Sequence, residues 1–204
     1  MSEQLLVIIG VTALVLVSPG PDMVIVLRNT LLGGRRAGLQ TSAGILAGNQ
    51  VHITYCVLGI GLLISQSILA FTILKYLGAA YLVYLGIMSF RSSAPPLDAS
   101  LVDGSRGNKS WFAQGFINNL LNPKGTLFYL GVFTMVITPD TSVSTAIVLV
   151  ITMNLVCVTF WLFFVTTLDH PSVRQFIERS QQIVQHIFGG LLIFLGLRVA
   201  FMER

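Results

Sequence analysis

An acid and two prolines, unusual residues for a long apolar stretch, lie in the first such stretch of the sequence, in the motif Ser18-Pro19-Gly20-Pro21-Asp22. Each proline lacks the N–H that a helix needs and clashes with the carbonyl four residues earlier, so the motif predicts a broken helix. In a membrane, broken backbone is tolerated only where it faces protein, a substrate or a water-filled cavity. An acid at the centre of such a helix costs about 2.5 to 3.5 kcal/mol and usually marks a substrate or proton pathway. Asp22 therefore predicts a functional site, with a helix cap or half of a buried ion pair as the alternative.

A second break is predicted about half a chain later, at Asn122-Pro123-Lys124. Asparagine followed by proline is a favoured helix start, so Lys124 would lie at the positive end of a helix dipole, deep in an apolar stretch. A cation there requires a partner, and the candidates are Asp22 and the carboxylate of a ligand, which could alternate within one cycle. Asn118 and Asn122 are spaced i, i+4 and either line the same cavity or bond neighbouring helices. The predicted substrate-binding or proton-coupling residues are Asp22, Lys124, Asn122, Asn118 and Ser18.

Three further polar residues lie in apolar stretches: Asn49 and His52 at i, i+3, and Asn154. They are possible cavity residues, and interhelical hydrogen bonds are the alternative for all three. His52 has no second histidine, cysteine or acid at ligand spacing, so no metal site is predicted. The sequence also lacks HExxH, GxSxG and a glycine-rich phosphate loop. It therefore predicts neither an enzyme nor a bound cofactor.

The elements that must position these residues are membrane helices. The chain is 54% hydrophobic and only 10% charged, with a mean hydropathy of +0.82, whereas a soluble domain has about 25% charged residues. Six apolar runs each reach the roughly 20 residues needed to cross a bilayer. The sequence thus predicts an all-α polytopic membrane protein with a single domain over residues 1–204. The six runs are 5–27, 42–64, 68–90, 112–138, 143–168 and 183–202.

The basic residues predict the orientation of these helices. Of the 12 lysines and arginines, eight fall in the first, third and fifth connections and three lie on the opposite side, close to predicted helix ends. By the positive-inside rule, the odd-numbered connections are cytoplasmic and both termini face outward. The net charge of +4 therefore reports topology, and no basic face or aromatic platform predicts a nucleic-acid partner.

The two halves of the chain resemble each other on either side of a hydrophilic connection at 92–110. Residues 79–87 match 189–197 with small, aromatic and glycine positions in step, and Ser18-Pro19 corresponds to Asn122-Pro123. Three helices in each half is an odd number, so the second half would enter the membrane from the opposite side. The sequence predicts two inverted repeats, about 1–91 and 111–204, with helices 1 and 4 broken at proline and the breaks close together.

Two further patterns concern packing. Gly44 and Gly48 form a GxxxG motif in the second run, which favours close helix contact within the monomer, with a homo-oligomer as the alternative. Residues 171–182 have an amphipathic pattern, typical of a short helix at the membrane surface or of a solvated linker.

Taken together, these motifs resemble the LysE/RhtB amino-acid exporters of bacteria. The resemblance rests on SPGPD at 18–22, GGRRAG at 33–38, LKYLGAAYL at 74–82, NLLNPK at 119–124 and GGLLIFLG at 189–196, and it covers essentially the whole chain. It implies an inner-membrane carrier that exports amino acids or small derivatives and is driven by the proton gradient. The family motifs fall on Pro19, Gly20, Pro21 and Asp22, and on Asn122, Pro123 and Lys124. No motif assigns the substrate.

The predicted function is a secondary carrier in the lipid bilayer that exports a small zwitterion. Asp22 would hold the ammonium group or a proton, while Lys124 and the helix N–H groups that begin at Asn122 would hold the carboxylate. One acid and one base favour a neutral or polar amino acid. The alternatives are a carrier for another small zwitterion or cation, a passive channel, which would need a continuous polar lining, and an assembly or signalling protein, which would need a soluble domain.

Overall fold

The computed structural model describes residues 2–18, 20–66, 68–91, 110–137, 141–168 and 171–201. These residues form helices and contain no strand, so the predicted all-α class is confirmed. The hydrophilic connection at 92–109 lies outside the described residues. The helices are α1 (Ser2–Val17), α2 (Pro21–Gln66), α3 (Ile68–Arg91), α4 (Trp111–Leu120), α5 (Pro123–Val136), α6 (Val143–Thr167) and α7 (Pro171–Phe201).

Both predicted helix breaks are present. Helix α1 ends at Val17 and α2 begins at Pro21, while α4 ends at Leu120 and α5 begins at Pro123. Each of these prolines takes the first helical position, where its missing N–H removes no intrahelical bond. The axis bends by 56° between Ser2–Val17 and Pro21–Gly59. The prolines therefore end one helix and start the next, as their chemistry predicts.

Helix α2 consists of two legs, 21–33 and 35–66, joined at Gly34. Gly34 has φ 71° and ψ −175°, a backbone conformation that favours glycine because it has no Cβ. The legs contact each other beyond this turn, since Asn29 Nδ2 donates to Thr41 Oγ1 at 2.9 Å and the Thr30 side chain lies against Gly38. The turn thus returns the chain along the leg that carries Asp22.

The second leg of α2 packs against α4 through glycines. The Cα of Gly44 lies against the backbone of Phe112 and Phe116, and Gly115 lies against the Thr41 carbonyl. A Cβ at either glycine would fall well inside contact distance of backbone atoms. The close packing predicted for the GxxxG motif therefore occurs within the chain.

Helices α3 and α7 pack in antiparallel fashion, through reciprocal contacts. A Cβ on Gly86 would lie 2.6 Å from the Gly189 carbonyl oxygen, and one on Gly196 would lie 2.7 Å from the Ala79 carbonyl oxygen. In the alignment of 79–87 with 189–197, Ala79 corresponds to Gly189 and Gly86 to Gly196. If each residue is replaced by its counterpart in the other half, the contact of Gly86 with Gly189 becomes the contact of Gly196 with Ala79.

The surface of α6 is apolar, with Leu155 62% and Phe163 67% exposed. Large apolar residues on an outer face indicate contact with lipid or protein rather than water. Among the described residues, two helices are long and apolar enough to cross a membrane, Val143–Thr167 and Gln182–Phe201, and the bent pair Ser2–Val17 with Pro21–Gly59 would be a third. Helices α4 and α5 have 10 and 14 residues, each short of the roughly 20 required. The count of six spans stays a prediction.

Residues 171–182 form the first part of α7, so they are helical but continuous with the helix that follows. In the interior, one apolar cluster includes Phe133, Leu192 and the thiols of Cys56 and Cys157. A second cluster includes Met23, Val26, Ile45 and Trp161, and it forms one side of the cavity described next.

Candidate functional site

The two helix breaks line one cavity. The first break contributes Ser18, Gly20, Pro21 and Asp22, and the second contributes Asn119, Asn122 and Gly125. The cavity has a volume of about 60 Å³, whereas one water needs about 10 to 15 Å³. It therefore has room for a few groups the size of water, which is the scale of a small metabolite rather than a peptide or a lipid.

Asp22 bridges the two breaks. It lies in the first turn of α2, where the helix dipole favours a carboxylate. Its Oδ1 accepts from Asn118 Nδ2 at 2.7 Å, and its Oδ2 accepts from Asn119 Nδ2 at 2.9 Å. Both donors lie in the last turn of α4. A carboxylate at the start of α2 is therefore held by two amides at the end of α4. These amides orient the carboxylate and carry no charge of their own.

Asn119 is a central residue that was not among the predicted site residues. Its Nδ2 donates to Asn49 Oδ1 at 3.0 Å as well as to Asp22, which fixes the orientation of the amide. Its backbone carbonyl is within 3.0 Å of His52 Nε2, and because a carbonyl only accepts, Nε2 is the donor. Pro123, four residues later, has no N–H to offer this carbonyl, which accepts instead from Asn122 N at 3.0 Å. The position of Asn119 relative to Pro123 was the signal that could have identified it.

Of the three further polar residues, only Asn49 lines the cavity formed by the described residues. His52, 1% exposed, is stacked on Tyr129 at 6.0 Å and pairs its Nδ1 with the Tyr55 hydroxyl at 2.7 Å. Asn154 accepts from Gln50 and donates to its own helix. His52 and Asn154 thus make the interhelical contacts that were the alternative to a cavity role.

The second break begins α5 in the way that its sequence predicts. Asn122 is buried, lines the cavity and directly precedes α5, and its carbonyl accepts from Gly125 N at 3.1 Å. Asn118 and Asn122 do not share a helical face, because α4 ends between them at Leu120. They nevertheless reach the same site, one bonded to Asp22 and one lining the cavity. Pro19 and the side chain of Lys124 lie outside the described part of the chain, so the pairing of Asp22 with Lys124 stays a prediction.

The remaining walls are largely apolar and aromatic. Phe128 and Tyr129 from α5, Trp161 from α6, and the apolar residues Leu16 and Ile45 also line the cavity. Small-molecule sites have this character, an apolar enclosure with a few polar groups that fix orientation. The aromatic residues were not predicted, since nothing in their spacing separates a cavity wall from ordinary core.

Comparison with known proteins decides the family. The profile of the LysE type translocator matches residues 13–203. The chain belongs to this family. The resemblance noted in the sequence is thereby confirmed, and the protein is a membrane transporter of the LysE/RhtB type, in which the cavity at the two breaks is the candidate binding site.

Three bacterial membrane proteins are among the relatives of this translocator. It is 31% identical to the uncharacterized membrane protein YrhP of Bacillus subtilis over 208 residues, which cover 96% of this chain and 98% of that protein. It is 24% identical to the uncharacterized membrane protein YahN of Escherichia coli over 95% of this chain and 87% of that protein. The homoserine/homoserine lactone efflux protein of Salmonella typhimurium is 33% identical over 129 residues, 63% of this chain and 62% of that protein. No solved structure matches the chain.

Proposed function

We propose that this protein is a secondary active transporter that exports a small neutral or polar amino acid, or a derivative of one, from the cytoplasm in exchange for protons. The observation that carries the proposal is the Asp22 carboxylate, held by Asn118 and Asn119 at the edge of a cavity between two broken helices. Broken membrane helices of this kind form substrate and ion sites in carriers.

In this proposal the two ends of a zwitterion bind at different breaks. Asp22 takes the ammonium group of the substrate or, in the other half of the cycle, a proton. The start of α5 takes the carboxylate, through helix N–H groups that follow Asn122 and through Lys124. A cavity of about 60 Å³ favours a small substrate. The name of the Salmonella relative, a homoserine/homoserine lactone efflux protein, supports the same class.

An inverted repeat supplies the two states that a carrier needs. The reciprocal contacts of Gly86 with Gly189 and of Gly196 with Ala79 support a pseudo-twofold axis between α3 and α7. Because these helices are antiparallel, such an axis would lie in the membrane plane and relate repeats of about 1–91 and 111–204. Exchange of conformation between similar halves would open the cavity first to one side and then to the other.

Export is tested with purified protein in vesicles loaded with single amino acids, including homoserine, serine, threonine and lysine. We expect saturable efflux of at least one neutral or polar amino acid, faster when the proton concentration is higher outside, with proton entry reported by an internal pH dye. Vesicles without protein are the control. Flux that does not saturate and moves no protons would instead indicate a channel.

The proposed location is the bacterial inner membrane, with both termini outside. Eight basic residues in the first, third and fifth connections against three on the other side support this orientation. A periplasm-active reporter fused after Arg204 should therefore be active, and the same reporter inserted at Ser100 should be silent, while a cytoplasm-active reporter gives the reverse. A cytoplasmic C-terminus would contradict both the orientation and the even number of spans.

A further inference from the structure

Trp161 in α6 has a feature that its packing does not explain. It lines the cavity and is 3% exposed. Its ring meets Phe160 edge to face at 5.2 Å and Phe164 at 5.8 Å, and these contacts hold the indole in place. The ring thus packs in the second apolar cluster as well as lining the cavity.

The indole N–H, by contrast, is unused. Trp161 Nε1 is buried and has no hydrogen-bond partner among the residues that the structure describes. A buried tryptophan N–H usually finds a partner, because leaving such a donor unpaired costs about 1 to 3 kcal/mol. Asn119 Oδ1 also lacks a partner in the described part, but that atom lies against Gly48. Of these two atoms, only Trp161 Nε1 carries a hydrogen to donate. Trp161 lines the cavity from α6, a different helix from the one that carries Asp22.

We propose that Trp161 Nε1–H donates to the carboxylate of the transported amino acid while Asp22 binds its ammonium group. This inference rests on the proposed function and narrows it. An indole N–H only donates, so it pairs with the carboxylate of a zwitterion and gains nothing from an ammonium group. Hydrogen bonds to a charged acceptor are stronger than neutral ones. Trp161 therefore makes the site selective for amino acids over simple amines of the same size.

The test compares each amino acid with the amine that remains when its carboxylate is removed. The probes are homoserine with 3-aminopropan-1-ol, and serine with ethanolamine. Trp161→Phe keeps an aromatic ring and removes the N–H. Trp111→Phe makes the same chemical change at the only other tryptophan, which packs on Gly33 at the start of α4. Binding of each probe to the purified, folded protein is measured by calorimetry, and export is measured in parallel.

We expect Trp161→Phe to weaken binding of homoserine and serine about 10- to 100-fold, as for a lost bond to a charged group. Binding of the two amines should change less than about 3-fold, and Trp111→Phe should leave all four probes unchanged. Equal weakening of amino acid and amine would mean that Trp161 only packs, and would overturn the inference. Unchanged binding of the amino acids would overturn it too.

A second measurement does not require Trp161 to be replaced. In the Trp111→Phe protein, Trp161 is the sole tryptophan, so its emission reports on its own N–H. Homoserine should shift that emission and 3-aminopropan-1-ol should not; the same response to both would contradict the inference. If the wild type exports amino acids but Trp161→Phe weakens binding of amino acid and amine equally, only the proposed role of Trp161 is refuted. If Trp161→Phe weakens binding of the amino acids alone but the wild type exports none of them, only the proposed function is refuted.

Discussion

Asp22→Asn should reduce export to the level of empty vesicles while folded protein is recovered in normal amount. Asparagine has the shape of aspartate but cannot neutralise an ammonium group or carry a proton. Its own NH₂ group must face one of the donors Asn118 and Asn119, so one hydrogen bond to a charged group is lost, at about 1.5 to 3 kcal/mol. The acid itself costs about 2.5 to 3.5 kcal/mol at the centre of a membrane helix, and asparagine removes the charge behind that cost. The two effects oppose each other, so we expect the variant to insert and fold. Efflux per folded protein is the measurement.

The matched control is Glu3→Gln, the same change at an exposed acid in the first turn of α1, which should export normally. Normal export by Asp22→Asn would refute the role of the carboxylate. A double variant separates function from structure, because a purely structural ion pair can often be replaced by neutral groups without loss. If Asp22→Asn with Lys124→Ala exported normally, Asp22 and Lys124 would be a structural pair and not the substrate site.

The breaks and the acid could be predicted from the sequence because their causes are local. Pro21 and Pro123 can begin a helix but cannot continue one, whatever surrounds them. Asp22 is conspicuous for a similar reason, since its cost in an apolar run does not depend on which helix lies opposite. The cavity between the breaks followed only from the argument that two similar halves are inverted.

The partners of these residues could not be predicted, because they depend on how the helices are rotated against one another. The spacing of Asn118 and Asn122 suggested a shared helical face, yet α4 ends at Leu120 and Asn119 becomes the residue that joins Asp22, Asn49 and His52. Trp161 was hidden for the same reason. A tryptophan in an apolar helix has the same sequence pattern whether its N–H is bonded in the core or lines a cavity.

Gly115→Ala should cause a large loss of stability. Its new Cβ would fall well inside contact distance of the Thr41 carbonyl, and both groups belong to helix backbones that cannot turn aside as a side chain can. Overpacking of this kind costs about 1 to 3 kcal/mol. To relieve it, α4 must move away from α2, which also separates Asn118 and Asn119 from Asp22. We expect a lower unfolding temperature and export reduced by at least about 10-fold.

Gly10→Ala is the control, because a Cβ at Gly10 in α1 would meet none of the described residues within 4 Å. Alanine raises helix propensity by about 1 kcal/mol at either position, so the difference between the two variants isolates the contact of α4 with α2. Gly10→Ala should match or exceed the stability of the wild type and export normally. If Gly115→Ala behaved in the same way, the close contact at Thr41 would not hold the site together, and the position of the two asparagines would have to depend on α5 and its break instead.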